Sequence, residues 1–152
     1  LDARVHTALN GYALDTFQVV PSETLAGHYR ELITLIESEL LRAISATGPL
    51  PEPSKRRVSR RVKSFPFAPR VTLRPDEKAQ RWILTISASD RAGLLYTVAR
   101  ILAQHNLSVQ LAKVSTLGER VEDTFLVQGN ELQHGARQIQ IETELLKALA
   151  AV

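Results

Sequence analysis

Cysteine and methionine are both absent from the 152 residues, and aromatic side chains make up only 5% of them. Without cysteine there is no disulfide and no thiolate metal centre, which fits a reducing compartment, so a cytoplasmic location is expected. No apolar run approaches the roughly 20 residues that span a bilayer, and the first residues lack the charged-then-apolar pattern of a secretory signal, so no membrane partner is expected. Glycine is sparse at seven residues, with neither a glycine-rich phosphate loop nor a nucleophile elbow. The four histidines, His6, His28, His105 and His134, show no short spacing to carboxylates of the kind that holds a metal. No catalytic residue, metal ligand or cofactor is therefore expected within these residues. The lack of methionine even at position 1, with a start inside a strand-like segment, predicts a piece of a longer polypeptide.

What is present is unevenly distributed. The net charge is +3, yet 54–74 carries eight Lys/Arg (Lys55, Arg56, Arg57, Arg60, Arg61, Lys63, Arg70 and Arg74) and no acid. The rest of the chain then holds 11 basic against 16 acidic residues, so the basic character belongs to one segment. The length suits one ordinary domain or two small ones, and a chain of this size buries roughly 70% of its unfolded surface.

The stretch Trp82 to Val127 carries strand, turn, helix and hairpin signals in unbroken order. An apolar, β-branched run (Trp82, Ile83, Leu84, Ile86) stops at Ser89-Asp90, and Leu94, Leu95, Val98, Ile101 and Leu102 then recur at helical spacing. The pattern predicts a strand over 82–88 and a helix over 92–105, with Asp90 as its N-cap and Gly93 leaving the backbone open to a ligand. Two strands follow, 108–117 and 120–128, paired through Gly118, and then a closing helix from 132 or 136 to 150 with Ile141, Leu145, Ala148 and Leu149 on one stripe. Upstream, 1–8 and 12–20 read as strands joined at Asn10-Gly11, and 25–45 reads as an amphipathic helix through Tyr29, Leu32, Ile33, Ile36, Leu40, Leu41 and Ile44. The proline-punctuated basic segment that follows reads as a linker, and 71–74 as a short strand able to fill a vacant sheet edge.

The two hairpins are related. Ala3-Arg4-Val5-His6-Thr7 and Asp15-Thr16-Phe17-Gln18-Val19 match Ala112-Lys113-Val114-Ser115-Thr116 and Asp123-Thr124-Phe125-Leu126-Val127, at offsets of 109 and 108 residues. The one-residue change falls in the hairpin loop, where length is easiest to alter. Each hairpin precedes an amphipathic helix, so the chain divides into a partial ββα unit (1–46), a linker (47–69) and a fuller βαββα unit (70–152). The expected fold is α+β, a ferredoxin-like antiparallel sheet with both helices of the fuller unit on one face. In each hairpin an aspartate, Asp15 or Asp123, shares the apolar row, and a local bond to turn amides or an edge position is the favoured explanation over a bound cation.

The run Asp90-Arg91-Ala92-Gly93-Leu94-Leu95, followed by Ser115 through Phe125 with its Leu117-Gly118-Glu119-Arg120-Val121-Glu122-Asp123 core, resembles the last ACT domain of the bacterial bifunctional uridylyltransferase/uridylyl-removing enzymes. The first copy, Ala3 to Thr7 with Asn10 to Phe17, resembles the second half of the preceding ACT domain, and Phe65-Pro66 to Leu73 resembles the connection between them. Two departures stand out. The family usually has proline where this chain has Ala92, which leaves the turn less pre-organised, and an ordinary ACT unit ends in a strand where this chain ends in a helix.

The resemblance implies a regulatory region that senses glutamine, in an enzyme whose upstream nucleotidyltransferase and metal-dependent hydrolase domains modify the nitrogen regulator PII. Glutamine would favour removal of uridylyl groups and its absence their transfer, and the divalent metal would belong to the catalytic domains. The ligand-binding residues would be Asp90, Arg91, Gly93, Leu94 and Leu95. Amides at the start of that helix suit an amino-acid carboxylate, although simple helix capping explains the same residues. An ACT domain of another amino-acid-metabolism enzyme stays open but leaves the repeat and its basic connection unexplained. Nucleic-acid binding through the basic segment with Phe65 and Phe67 is the weaker reading, because an RNA-recognition sheet carries stacking aromatics on adjacent central strands and the strand from Arg120 to Val127 offers only Phe125. The truncated first unit should expose sheet edge and apolar surface, and self-association is expected.

Overall fold

A computed structural model describes residues 2–20, 27–49, 51–52, 67–77 and 80–150. The chain forms two compact units, one made of 1–18 with 53–152 and the other of 19–52. In the larger unit six strands make one antiparallel sheet: β1 (Asp2–Thr7), β2 (Ala13–Phe17), β3 (Arg70–Pro75), β4 (Trp82–Ser89), β5 (Ser108–Leu117) and β6 (Arg120–Gln128). Their order across the sheet is β2-β1-β5-β6-β4-β3. The smaller unit holds α1 (Tyr29–Ser45), while α2 (Leu94–Gln104) and α3 (Gly135–Ala150) belong to the larger one. This is the α+β, ferredoxin-like arrangement expected.

Alternation explains which sheet face is covered. Leu84, Ile86 and Ala88 of β4, Val121, Phe125 and Val127 of β6, and Ala112 and Val114 of β5 are buried, two residues apart as side chains on one face must be. They form a single core with Leu94, Val98, Ile101 and Leu102 of α2 and Ile141, Leu145 and Leu149 of α3, so both helices cover the same face. Leu132, in the 3-10 turn Asn130–Gln133 ahead of α3, is also fully buried.

The edge strand is supplied from upstream. β3 pairs antiparallel with β4 from Arg70↔Ser87 to Pro75↔Trp82, taking the edge that a strand after α3 would otherwise occupy. Val71 and Leu73 pack against the core, and the Leu73 N–H donates to Glu142 Oε1 of α3 at 2.8 Å, so the edge strand is fastened to the helix layer.

At the opposite side β1 pairs with β5 as Ala3↔Val114, Arg4↔Lys113 and Val5↔Ala112. The repeat equates Ala3 with Ala112, Arg4 with Lys113 and Val5 with Val114, so the two copies meet about a local pseudo-two-fold axis at the Arg4–Lys113 pair.

Several boundaries differ from expectation. The second strand ends at Phe17 rather than Val20. The first helix begins at Tyr29, with His28 at the N-cap position and no side-chain cap; its expected start at Leu25, and most of the basic linker, lie outside the described residues. Helix α2 begins at Leu94, not Ala92, and the Asp90 cap is corrected: the N-cap is Gly93, with no side-chain cap bond. Asp90 is drawn elsewhere, since its N–H donates to the Glu119 carbonyl at 2.8 Å and carries the strand hydrogen bonding one residue past β4. Asn10-Gly11 and Gly118 turn as expected, with Gly11 at φ 84° and Gly118 at φ 65°. Asn106, at φ 53°, ends α2, and the Leu107 N–H donates back to the Leu102 carbonyl at 2.9 Å, closing the last turn.

Candidate functional site

The turn between β4 and α2 is the place where the sequence concentrates its ligand-binding signals. Gly93 sits at φ 78°, ψ 7°, a left-handed conformation that costs a residue with a Cβ roughly 1 kcal/mol or more. Its carbonyl accepts both the Thr97 N–H at 2.9 Å and the Thr97 Oγ1 hydroxyl at 2.8 Å, fixing the first helical turn. The Leu94 N–H donates to the Arg91 carbonyl at 3.3 Å, tightening the turn. The Leu95 N–H lies in the helix's first turn, where geometry provides no intrahelical acceptor, and the helix dipole adds partial positive charge there.

The five residues singled out from sequence do not share one environment. Asp90, Arg91 and Gly93 are half-buried, Leu94 is in the core, and Leu95 is on the surface. Arg91 reaches across to donate from its guanidinium to the Ala148 carbonyl in the last turn of α3, where a cation meets the negative helix end. Burial pulls its pKa below the usual arginine range. Leu94 therefore anchors the turn to the core, while Asp90, Arg91, Gly93 and Leu95 remain the part a ligand can meet. The α2–α3 groove, about 510 Å³ and lined by Thr97, Arg100, Ile101, Gln104, Glu144, Lys147 and Ala148, opens beside the carbonyl that holds Arg91.

One acid outside the turn itself carries a separate signal. Asp123 of β6 is 0% exposed, on the helix-covered face of a central strand. Its Oδ1 accepts the Ser115 N–H of β5 at 3.2 Å, and its Oδ2 has no hydrogen-bond partner. The favoured explanation, an edge position or bonding to turn amides, is corrected by the sheet order: β6 is interior, and the donor is a strand amide. Burial pushes the Asp123 carboxyl up to about 6; the Ser115 N–H opposes this, and the charges of Asp90 and Glu122 add to it. The signal in the sequence was an acid in the alternating apolar row of both repeat copies. Its counterpart Asp15 is exposed, on the edge strand β2.

Other polar pairs steady the frame. His105, at the end of α2, places Nε2 2.7 Å from Glu144 Oε2 of α3. Ser87 Oγ donates to Glu122 Oε1 at 2.9 Å, and Arg120, paired with Glu122, lies 4.2 Å from the Phe67 ring centroid. Among the described residues no three His, Asp or Glu side chains are grouped to hold a metal ion.

A sheet of this order, with two helices on one face and a glycine-opened turn leading from strand to helix, is the arrangement of the ACT class of domains. Residues 82–142 match the family model of the ACT domain, and they form one. Over 99% of its length the chain is 54% identical to a bifunctional uridylyltransferase/uridylyl-removing enzyme of Ralstonia nicotianae. Over 98% it is 53% identical to that of Cupriavidus metallidurans, and over 99% it is 51% identical to that of Burkholderia thailandensis. The resemblance read from the repeat and from the Leu117 to Asp123 run is thereby shown. The chain spans 17–18% of the length of these relatives. No solved structure matches it.

Proposed function

We propose that this chain is the amino-acid-sensing region of an enzyme that adds uridylyl groups to the nitrogen regulator PII and removes them, with glutamine as its effector. The observation that carries the reading is the left-handed Gly93, which opens first-turn amides of α2 beside half-buried Asp90 and Arg91. It stands in an ACT domain within a chain about half identical to such enzymes. The amides and the helix end suit the ligand's carboxylate. Contact of Arg91 with the end of α3 gives binding a route into the helix layer.

In this reading the catalytic work and its divalent metal belong to upstream domains, PII meets those domains, and the region itself takes no cofactor. Residues 1–46 are the end of a first ACT unit, 47–69 its connection, and 70–152 the second unit. The location is cytoplasmic, in keeping with relatives named as bacterial enzymes and with no helix among the described residues long and apolar enough to cross a membrane. The exposed apolar residues of the first copy mediate self-association.

Calorimetric titration with glutamine and a panel of other amino acids tests the assignment. Glutamine should give saturable heats well above the others, and Gly93→Val should lose them, since a β-branched residue at positive φ is strained and covers the amides. Equal, weak heats across the panel would overturn it.

A further inference from the structure

Asp123 presents an unusual combination. It is fully buried, one carboxylate oxygen has no partner, and the pairing of β5 with β6 has a gap beside it. Strands β5 and β6 pair at Lys113↔Thr124 and again at Thr116↔Val121 in the same register, with no paired residues in between. The interruption is therefore not a bulge, for the only register shift in this pair lies between Val109 and Leu111. In the gap the Ser115 N–H is given to the Asp123 side chain. A buried polar atom left without a partner costs about as much as a lost hydrogen bond or more, so an acid kept here at the expense of strand pairing calls for a partner that comes and goes.

The surroundings say what kind of partner. The charges acting on Asp123 are Asp90, at the end of β4, and Glu122, on its own strand, and both are negative. From β5 it receives the Ser115 amide, and the cation of the turn, Arg91, reaches instead to the Ala148 carbonyl of α3. The field at the free oxygen thus favours a cation. Strand β4, whose Ile86 lies directly opposite Asp123, runs into the Asp90–Leu95 turn four residues later.

An amino acid is a zwitterion, with an anionic and a cationic group on one carbon. Resting on the amino-acid-sensing reading above, we propose that Asp123 accepts the α-ammonium group of the amino acid whose carboxylate meets the first-turn amides of α2. Because Asp123 is fully covered, the turn at Gly93 must shift to admit the ligand and then close over it. The buried carboxyl is mostly protonated below about pH 6. There, binding breaks its O–H bond and releases the proton to solvent, while the incoming ammonium keeps all of its own protons.

Two measurements on the full chain test this. The first compares glutamine with glutaramate, the same molecule without its α-amino group. The wild type should prefer glutamine by about 10- to 100-fold, the range of a charge-assisted hydrogen bond, and Asp123→Asn, shown by circular dichroism to be folded, should erase most of that preference. A folded Asp123→Asn that keeps the preference overturns the proposal, as does a wild type that binds both compounds equally, and in both cases the sensing reading stands. A wild type that binds no amino acid overturns both. The second measurement needs no variant: calorimetry at pH 5 in two buffers of different ionisation enthalpy should show release of close to one proton per glutamine bound, fading by pH 8. No buffer dependence at pH 5 overturns the proposal.

Discussion

The two hairpins of this chain share a sequence pattern and differ in almost everything that packing decides. Phe125 of the second copy is 6% exposed, while its repeat counterpart Phe17 is 58% exposed. Asp123 is fully buried and Asp15 is exposed. The stripe of α3 is sealed, with Ile141 and Leu145 at 0%, whereas none of the residues of α1 is buried and Ile33, Leu40 and Ile44 face solvent. What separates the copies is β4 with α2, which closes the second core and has no counterpart among the described residues around the first. Local sequence makes a hairpin or an amphipathic helix; only a neighbour makes a core.

The largest effect expected from this comparison is a packing one. Phe125→Ala should destabilise the larger unit by about 3–5 kcal/mol, as aromatic truncations in cores do, while Phe17→Ala should cost under about 1 kcal/mol; paired urea titrations measure both. Equal losses would show that the first hairpin has a core of its own.

The buried aspartate comes next. The folded Asp123 carboxyl, at about 6, lies above the usual 3.8, so folding favours its protonated form. Stability from this group is complete below about pH 4 and is lost as pH rises through about 6, by about 3 kcal/mol at 1.36 kcal/mol per unit. Asp123→Asn should flatten that part of the pH–stability curve. Chemical denaturation of wild type and variant at pH 4, 5, 6 and 7 reads the difference.

A smaller effect is expected where β3 is fastened. Glu142→Ala removes the acceptor of the Leu73 N–H and should cost about 1–3 kcal/mol, with faster amide hydrogen exchange at Leu73 than at its β4 neighbours. Last, if the exposed residues of the first copy join two chains, Ile33→Glu with Leu40→Glu should weaken self-association at least about tenfold, roughly 1.4 kcal/mol. Sedimentation at several concentrations would reveal this, and a wild type that stays monomeric throughout would end the idea.

Much of the fold was legible because its signals are local. Alternation in Trp82 to Ala88 and Arg120 to Gln128, the helical spacing of Ile141, Leu145 and Leu149, and glycines able to take positive φ at 11 and 118 each depend on a few adjacent residues. Even the edge strand at Val71 to Arg74 could be anticipated, since an unfilled sheet edge demands one. The Asp90 cap fails because the strand hydrogen bonding runs past β4 and keeps Asp90 out of the helix start. Here the Glu119 carbonyl, 29 residues away in sequence, takes the Asp90 amide, and the chain needs three more residues to reach α2.

The residues alone determined the element types, the internal repeat and the family resemblance, since each is written in spacing along the chain. Tertiary structure decided which copy of the repeat is buried, that the copies meet about Arg4 and Lys113, and that Asp123 has a free oxygen inside a central strand. Those depend on contacts between segments distant in sequence, and the Asp and Phe of the same Asp-Thr-Phe triplet are solvated at an edge in one copy and desolvated beneath two helices in the other.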